Sequence, residues 1–472
     1  MGTAKPRPSG SRASVSKAHS FQALPEKTFI VDNGAYTLKA GFAPDYPPPE
    51  DEEKALSACA TIPNAIVKTR ENRIYVGSQL NTHVTDWNEV SFRRPVEKGY
   101  IVNWEAQKEV WEQSFFDEKT VRGNDLRITD PEDTTLVLTE APNGLPALQK
   151  NADEIVMEEW GFGGYYRSLG PPLNAWNELN ALFGDSVVRE ADSVVTPREC
   201  LLVIDSGYSH TTVTPVYRGQ PLQRAVRRLD LGGKHLTNYL KEMVSVRQYN
   251  MVDETYIMNE VKEAVCYVSN NFVGDLEQSW KGNRKRGLAE SNEGVTVDYV
   301  LPDPNAGKKG FMRPHDPLLN AKKRKGALSG TSAEAFSEDA LILGNERFTV
   351  PEILFTPSDI GMKQAGIPDI VLQSLAVLPT GLHPAFLANV LVVGGNSLLP
   401  GFMERLETEL RQLASVECVV RVRCSQDPIR STWLGASRFA TNREELKKVA
   451  ITRQEYQEYG SSWAGRKFAG AL

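Results

Sequence analysis

Two stretches of the chain share one pattern of apolar and polar positions. From Cys200 to Gly219, the run Leu201-Leu202-Val203-Ile204 leads into Asp205-Ser206-Gly207, and Thr211 to Val216 follows. From Thr28 to Phe42, Phe29, Ile30 and Val31 lead into Asp32-Asn33-Gly34, and Tyr36, Leu38 and Ala40 then alternate with polar residues. A short unbroken apolar run predicts a buried strand, the glycine-bearing triplet a tight turn, and the next run a returning strand. Each stretch is therefore a predicted β-hairpin with an acid at its bend. Asp, Ser and Gly are ordinary turn residues, so one such hairpin carries little chemistry by itself. A carboxylate beside a glycine, which lets the backbone come close to a ligand, is also a way to hold a metal-bound phosphate. Two copies imply two lobes.

Elsewhere, the spacing predicts helices over Trp104 to Phe116, with Val110, Trp111, Ser114 and Phe115 on one side, and over Leu148 to Trp160. Asp253 to Val268 reads as an amphipathic helix carrying Ile257, Val261, Ala264, Val265 and Val268 on its apolar face. Pro368 to Leu378 is a further helix, with Ile370, Val371, Leu375 and Val377 apolar, and Val390 to Val393 a buried strand. Gly394-Gly395-Asn396 turns the chain into a helix from Gly401 to Leu413, with Leu406, Leu410 and Leu413 inward. Ile62 to Gly99 is strand-rich. From 275 to about 340, Gly, Lys, Arg, Asn, Ser and Pro mix without apolar periodicity, apart from a strand-like Val295 to Leu301. So long a stretch predicts an inserted surface loop. It carries two basic clusters, Arg284-Lys285-Arg286 and Lys322-Lys323-Arg324-Lys325, which read as a solvated charge run, a nuclear import signal or a contact for an acidic partner.

Composition narrows the class. At 472 residues, with 40% hydrophobic and 24% charged residues, the chain can form two or three soluble domains. No apolar run approaches the roughly 18 residues that cross a bilayer, and a net charge of -6 argues against a whole-domain nucleic-acid surface. The five cysteines have no paired zinc spacing and read as reduced thiols of cytosol or nucleus, and no metal site is predicted. Residues 1–26 are rich in Ser, Lys, Arg and Pro, which predicts a disordered basic tail. Organelle import is the rival reading, opposed by Pro6, Pro8 and Gly10, which spoil an amphipathic helix.

The duplicated hairpin resembles that of the actin, sugar kinase and heat-shock-seventy superfamily. Thr139-Glu140-Ala141-Pro142, Leu229-Asp230-Leu231-Gly232-Gly233, Cys266-Tyr267-Val268, Gly344-Asn345-Glu346-Arg347-Phe348, Val393-Gly394-Gly395 and Trp433-Leu434-Gly435 resemble actin signatures in actin's order, over residues 27 to 463. Within that family the chain is most similar to the nuclear actin-related protein 6 subfamily, through Ser91-Phe92-Arg93-Arg94-Pro95, Arg228 to Gly233 and Arg247 to Thr255. The resemblance implies an α/β, actin-like, two-lobed ATPase fold: duplicated ribonuclease-H-like domains and four subdomains. The first lobe would span 27–197 and the second 198–427 with the insertion at about 275–340, and 428–472 would return to the first lobe. It implies ATP with magnesium held by Asp32, Gly34, Lys39, Asp205, Gly207, Lys262, Glu263, Gly394 and Gly395, with Lys262 facing adenine and Glu263 the ribose. A solvated helix face is the plain alternative for that last pair.

The departures from the pattern bear on chemistry. Where actin has a helix carrying a water-orienting glutamine, this chain has Ser168-Leu169-Gly170-Pro171-Pro172. An interior proline costs a helix about 3 kcal/mol, so an unbroken helix is not expected. Actin's water-positioning histidine falls on Thr212, with His210 two residues away, and its second acid and second glycine fall on Tyr208 and Ser209. Ala35 and Tyr36 replace the phosphate-binding serine and glycine of the first hairpin, and Leu399 replaces the aromatic that stacks on adenine. Val76 to Leu80 runs almost directly to Ser91, which leaves little room for a filament-forming loop. A sugar-kinase-like phosphotransferase would need a carboxylate base in the cleft, and an ATP-hydrolysing cytoskeletal protein a positioned water. The expectation is a non-enzymatic structural subunit of a Swr-type chromatin-remodelling complex, which exchanges a core histone for its Z-type variant. That reading places the protein in the nucleus and also the cytoplasm, among other subunits of the complex, near histones or nucleosomal DNA only indirectly, off membranes and out of filaments.

Overall fold

In the computed structural model, residues 23–44, 52–87, 90–119, 126–184, 196–285, 295–303, 307–316 and 339–470 are described. Both predicted hairpins form. The strand Lys27–Asn33 pairs antiparallel with Thr37–Phe42, placing Asp32 opposite Lys39. Cys200–Ser206 pairs antiparallel with Thr211–Tyr217, placing Asp205 opposite Thr212.

Each hairpin seeds a mixed sheet by the same plan. Lys27–Asn33 lies parallel to Thr134–Glu140, which lies parallel to Gly164–Leu169. Cys200–Ser206 lies parallel to Val390–Val393, which lies parallel to Val422–Cys424. Ala60–Pro63 and the late strand Ile451–Thr452 close the two edges of the first sheet, so residues 451–452 return to the lobe of the first hairpin. The apolar runs are unbroken because both faces of each sheet are covered. Leu202 and Ile204 join the large core of the second lobe, whereas Leu201 and Val203 pack with Ala175, Leu179 and Phe183 on the other face. Phe29 and Val31 similarly face Trp111, Phe115 and Val156, while Ile30 faces Trp433 and Phe439.

Several helices differ from their predicted form. Trp104–Phe115 is as expected, its Asn103 side chain capping the Ala106 amide. Pro146–Glu154 widens into a π turn over Ile155–Glu159. A short helix does follow at Gly170–Leu173, because Pro171 and Pro172 fall in its first turn, where a missing N–H costs nothing. It gives way at once to a 3-10 turn, Asn174–Trp176, so no long helix forms here. The predicted 253–268 helix is shorter, Thr255–Val265, and Ala264 is exposed rather than part of the apolar face. Val377 and Leu413 are also exposed, the first lying beyond its helix, Ile367–Leu375, and the second in the last position of Phe402–Leu413.

The described residues of the 275–340 stretch form more regular structure than predicted. Helix Phe272–Lys285 covers its start, and Val297–Val300 is the centre of a three-stranded sheet between Phe311–Pro314 and Ala340–Leu343. Asp298 is fully buried in that sheet, with His315 Nδ1 2.6 Å from its carboxylate. The flanking strand went unseen because Phe311 and Met312 are both exposed, so no alternation marks it. Arg286 and Lys322 to Lys325 lie outside the described residues, as does most of the predicted basic tail, 1–22.

In the first lobe a small sheet stands above the hairpin: Ile74–Val76, Ile66–Lys68 and Ser91–Arg93. Residues 69–73 join its first two strands, and the segment after Gly77 holds a short helix, Gln79–His83. None of the helices among the described residues is long and apolar enough to cross a membrane.

Candidate nucleotide cleft

The two hairpin turns face each other across a cavity of about 490 Å³. Asp32, Gly34, Lys39, Asp205, Gly207, Lys262, Glu263, Gly394 and Gly395 all line it. Residues far apart in sequence meet there because the acid-bearing turn of each hairpin opens onto the same cavity.

The first turn is internally satisfied. Lys39 Nζ lies 3.4 Å from the Asp32 carboxylate. Thr139 donates its hydroxyl to Asp32 at 2.7 Å and accepts from the Asn33 amide at 3.0 Å. Trp111 and Asn64 fix the rest of the turn, donating to the Asn33 side chain and the Gly34 carbonyl. The adjoining Glu140 is held by Arg167, which also pairs with the buried Asp153.

The second turn is held through its backbone. Asn396 donates to Ser206 Oγ at 3.1 Å and to the Gly207 carbonyl at 2.9 Å. The amides of Gly233 and Lys234, opening the helix Gly233–Arg247, donate to the carbonyls of Gly207 and Tyr208. Gly394 has φ +91°, and a Cβ there would meet the Ser206 carbonyl at 2.4 Å, so glycine is required. No hydrogen-bond donor of the described residues reaches the Asp205 carboxylate. Burial, with the charge of Asp32 across the cleft, pushes its pKa up to about 7 against the opposing pull of Lys39.

Lys262 and Glu263 divide. Lys262 is buried, hydrogen-bonded to Asn259 Oδ1 at 2.8 Å and Thr237 Oγ1 at 3.3 Å, and burial lowers its pKa. A solvated helix face is ruled out for it. Glu263 is exposed and accepts from Asn259 Nδ2 at 2.8 Å. Asn259 therefore organises both, and also donates to Tyr36 Oη at 3.3 Å.

The departures from the actin pattern stand at the same cavity. Gly170 and Pro171 line it at the place aligned with actin's water-orienting glutamine. Thr212 is buried and outside the lining, whereas His210 lines the cavity. Burial, aided by Arg228, lowers the His210 pKa to about 3, so its ring is neutral, and its Nδ1 has no hydrogen-bond partner among the described residues. Leu399 packs in the core of the second lobe and still lines the cavity, beside the exposed Leu398. Tyr36 and Tyr208 reach across the gap and pack together, ring centroids 4.8 Å apart.

The donor set fits a magnesium nucleotide in part. Magnesium keeps several waters and takes one or two carboxylates plus phosphate oxygens, the role open to Asp32 and Asp205. The turn amides and Lys39 could meet phosphate oxygens, and the Ser209 hydroxyl and His210 Nδ1 are buried polar atoms with no protein partner among the described residues. A Cβ built on Gly395 would meet nothing within 4 Å, so that face is open. Thr139, Asn259 and Asn396, the residues that set the geometry, were not singled out as site residues from sequence. Their only signal was position, inside or beside the signature stretches.

The actin family model matches residues 23–469. An actin-like protein arp6 of Aspergillus fumigatus is 79% identical over 472 residues, covering the whole of both chains. That of Emericella nidulans is 74% identical over 483 residues, again covering both chains entirely. An actin-related protein 6 of Dictyostelium discoideum is 34% identical over 488 residues, covering 94% of each chain.

Proposed function

Because the chain belongs to the actin family, in its actin-related protein 6 branch, we propose that it is a non-catalytic structural subunit of a nuclear ATP-dependent chromatin-remodelling complex. The complex in question exchanges a nucleosomal core histone for its Z-type variant, with another chain as its motor. The observation that supports the non-catalytic part is that the positions aligned with actin's water-holding residues bring no such side chain into the cavity. Gly170 and Pro171 offer no side-chain donor or acceptor, Thr212 is out of the lining, and His210, two residues from Thr212, is wedged against Gly99. Hydrolysis needs a held and oriented water. ATP with magnesium then serves, when bound, as a structural ligand on Asp32, Lys39, Asp205 and the two turns. At a thousand times its dissociation constant such a ligand stabilises the fold by about 4 kcal/mol with no turnover.

The partners in this reading are protein subunits, with histones and nucleosomal DNA contacted indirectly, and the protein works in the nucleus and also occurs in the cytoplasm. The insertion is the docking arm. Deleting 304–338 would remove the strand that carries Arg313 and leads into His315, the groups facing buried Asp298. Replacing only 317–338 with a short Gly-Ser linker is the cleaner change. Affinity purification of a tagged copy from nuclei should recover remodelling subunits, and the 317–338 variant should recover them poorly at unchanged melting temperature. Steady ATP hydrolysis by the pure protein, lost in Asp205→Ala, or recovery with cytoskeletal proteins alone, would overturn the reading.

A further inference from the structure

We infer that the two lobes are clasped to each other by side chains at the cleft, so that closure is set by the chain itself and not by a ligand between the lobes. The clasp has two limbs. The upper limb is built on the small sheet of the first lobe. Trp87 lies flat on Tyr256 of the second-lobe helix Thr255–Val265, centroids 3.8 Å apart and planes 9° from parallel. Phe92 is nearly parallel to both rings, its centroid 6.2 Å from Trp87 and 6.4 Å from Tyr256.

Arg94, two residues on, extends the stack down to the turns. Its guanidinium carbon lies 5.1 Å from the Phe92 ring, 4.5 Å from that of Tyr36 and 5.3 Å from that of Tyr208. Its Nη1 also donates to the Tyr36 carbonyl at 3.4 Å. Tyr36 belongs to the first-lobe turn and Tyr208 to the second, so their contact and the Asn259 hydrogen bond to Tyr36 Oη both join the lobes. Burial pushes the Tyr36 pKa up to about 12, so the phenol stays neutral over the whole working range of pH. Stacked rings and a cation over a ring face are attractive without any bound metal or anion.

The lower limb is the first-lobe hairpin formed by Val96–Glu97 and Tyr100–Ile101. Its tip residue Gly99, at φ +81°, sits so close to His210 that a Cβ would come within 2.4 Å of the ring. On one side of that tip Arg228 donates to the Lys98 carbonyl at 2.6 Å and covers the Tyr100 ring. On the other side Lys234 pairs with Glu97 at 2.7 Å. A rotation that opened the cleft would break both limbs together. Where a ligand is the main link between two lobes, its loss lets them part. Here the two turn tips are already in contact through their own rings.

The inference stands whether or not the cleft holds a nucleotide, and its test separates the two questions. Full-length protein stripped with EDTA is compared with the same protein in ATP and magnesium by small-angle X-ray scattering and by amide exchange of the segments around Tyr36 and Tyr208. The wild type should have the same radius of gyration in both states and slow exchange at both turns. Trp87→Ala with Arg94→Ala should give a larger radius and at least tenfold faster exchange at the turns, with far-ultraviolet circular dichroism unchanged. Tyr36→Phe, which keeps the ring and loses only the Asn259 bond, should stay compact, and Tyr208→Gly alone should loosen the turns if the double variant does not fold. A wild type that expands on stripping and closes with ATP would overturn the inference, as would opened-clasp variants as compact and protected as the wild type.

Discussion

The turns that face each other across the cleft share a backbone plan and differ in what satisfies their acids. In the first, Thr139 reaches the carboxylate itself and Lys39 neutralises it, so Asp32 is complete within the protein. In the second, the corresponding support comes from Asn396, which bonds the Ser206 hydroxyl and the Gly207 carbonyl and leaves the carboxylate alone. One duplicated unit therefore presents a finished acid and an unfinished one. A half-buried carboxyl with no donor among the described residues, facing the charge of Asp32, is pushed toward its protonated form, which raises the Asp205 pKa to about 7. Asp205 is therefore the cleft carboxyl whose charge state changes near neutral pH.

The largest effect should come from removing that charge. Asp205 loses its proton near 3.8 in an unstructured chain and near 7 in the fold. Between those values the folded state holds a proton that the unfolded state has lost, so stability falls as pH rises through the window and levels off above it. At about 1.4 kcal/mol per unit the change reaches at most about 4 kcal/mol. In EDTA the gap between Asp205→Asn and the wild type should widen in favour of the variant from pH 5 to pH 8, the variant serving as reference for the opposite drift from His210, whose lowered pKa makes both proteins gain stability as pH rises towards 6.5. Parallel curves for the two proteins would mean that Asp205 is not left unsatisfied.

Converting the first turn into the second should cost somewhat less. Lys39→Met keeps the length of the side chain and strips Asp32 of its cation. Removing one member of a buried ion pair costs about 3–5 kcal/mol, and partial exposure of this pair brings the expectation to about 3 kcal/mol. Because Lys39 also opposes the rise at Asp205, the variant's loss should be greater at pH 8 than at pH 5. Urea denaturation at the two pH values measures both. A loss below about 1 kcal/mol would show that Thr139 alone suffices for Asp32.

Much of this was legible in the sequence because buried strands covered on both faces leave unbroken apolar runs. Leu201 to Ile204, Phe29 to Val31 and Val390 to Val393 are legible that way, and the nine residues that line the cavity follow from the turns beside them and from the actin signatures. What periodicity could not show was geometry set by single polar side chains. Asn259 and Asn396 look like any helix or turn asparagine until the lobes are folded together. Phe311–Pro314 escaped because an edge strand exposed on both faces has no alternation. Prolines at 171 and 172 break a helix only in its interior, and a helix that starts at Gly170 makes them first-turn residues. The aromatic contact between Tyr36 and Tyr208 is present in the sequence only as two departures from the actin pattern.

The smallest effect tests the comparison most directly. Thr139→Val preserves shape and removes one hydroxyl, which both donates to Asp32 and accepts from the Asn33 amide. A hydrogen bond to a charged group contributes about 1.5–3 kcal/mol, but Lys39 still serves the carboxylate and water can enter from the cleft, so the expected loss is about 1 kcal/mol. Thr139→Ser keeps the hydroxyl and should lose less than half as much. In the second turn, Asn396→Ala should cost a comparable amount through the backbone while leaving the pH window of Asp205 where it was, because Asn396 never touches that carboxylate. Melting curves at pH 5 and pH 8 for the three variants decide the matter. If Asn396→Ala shifts the window as Lys39→Met does, the two turns are supported in the same way, and the division between a finished and an unfinished acid fails.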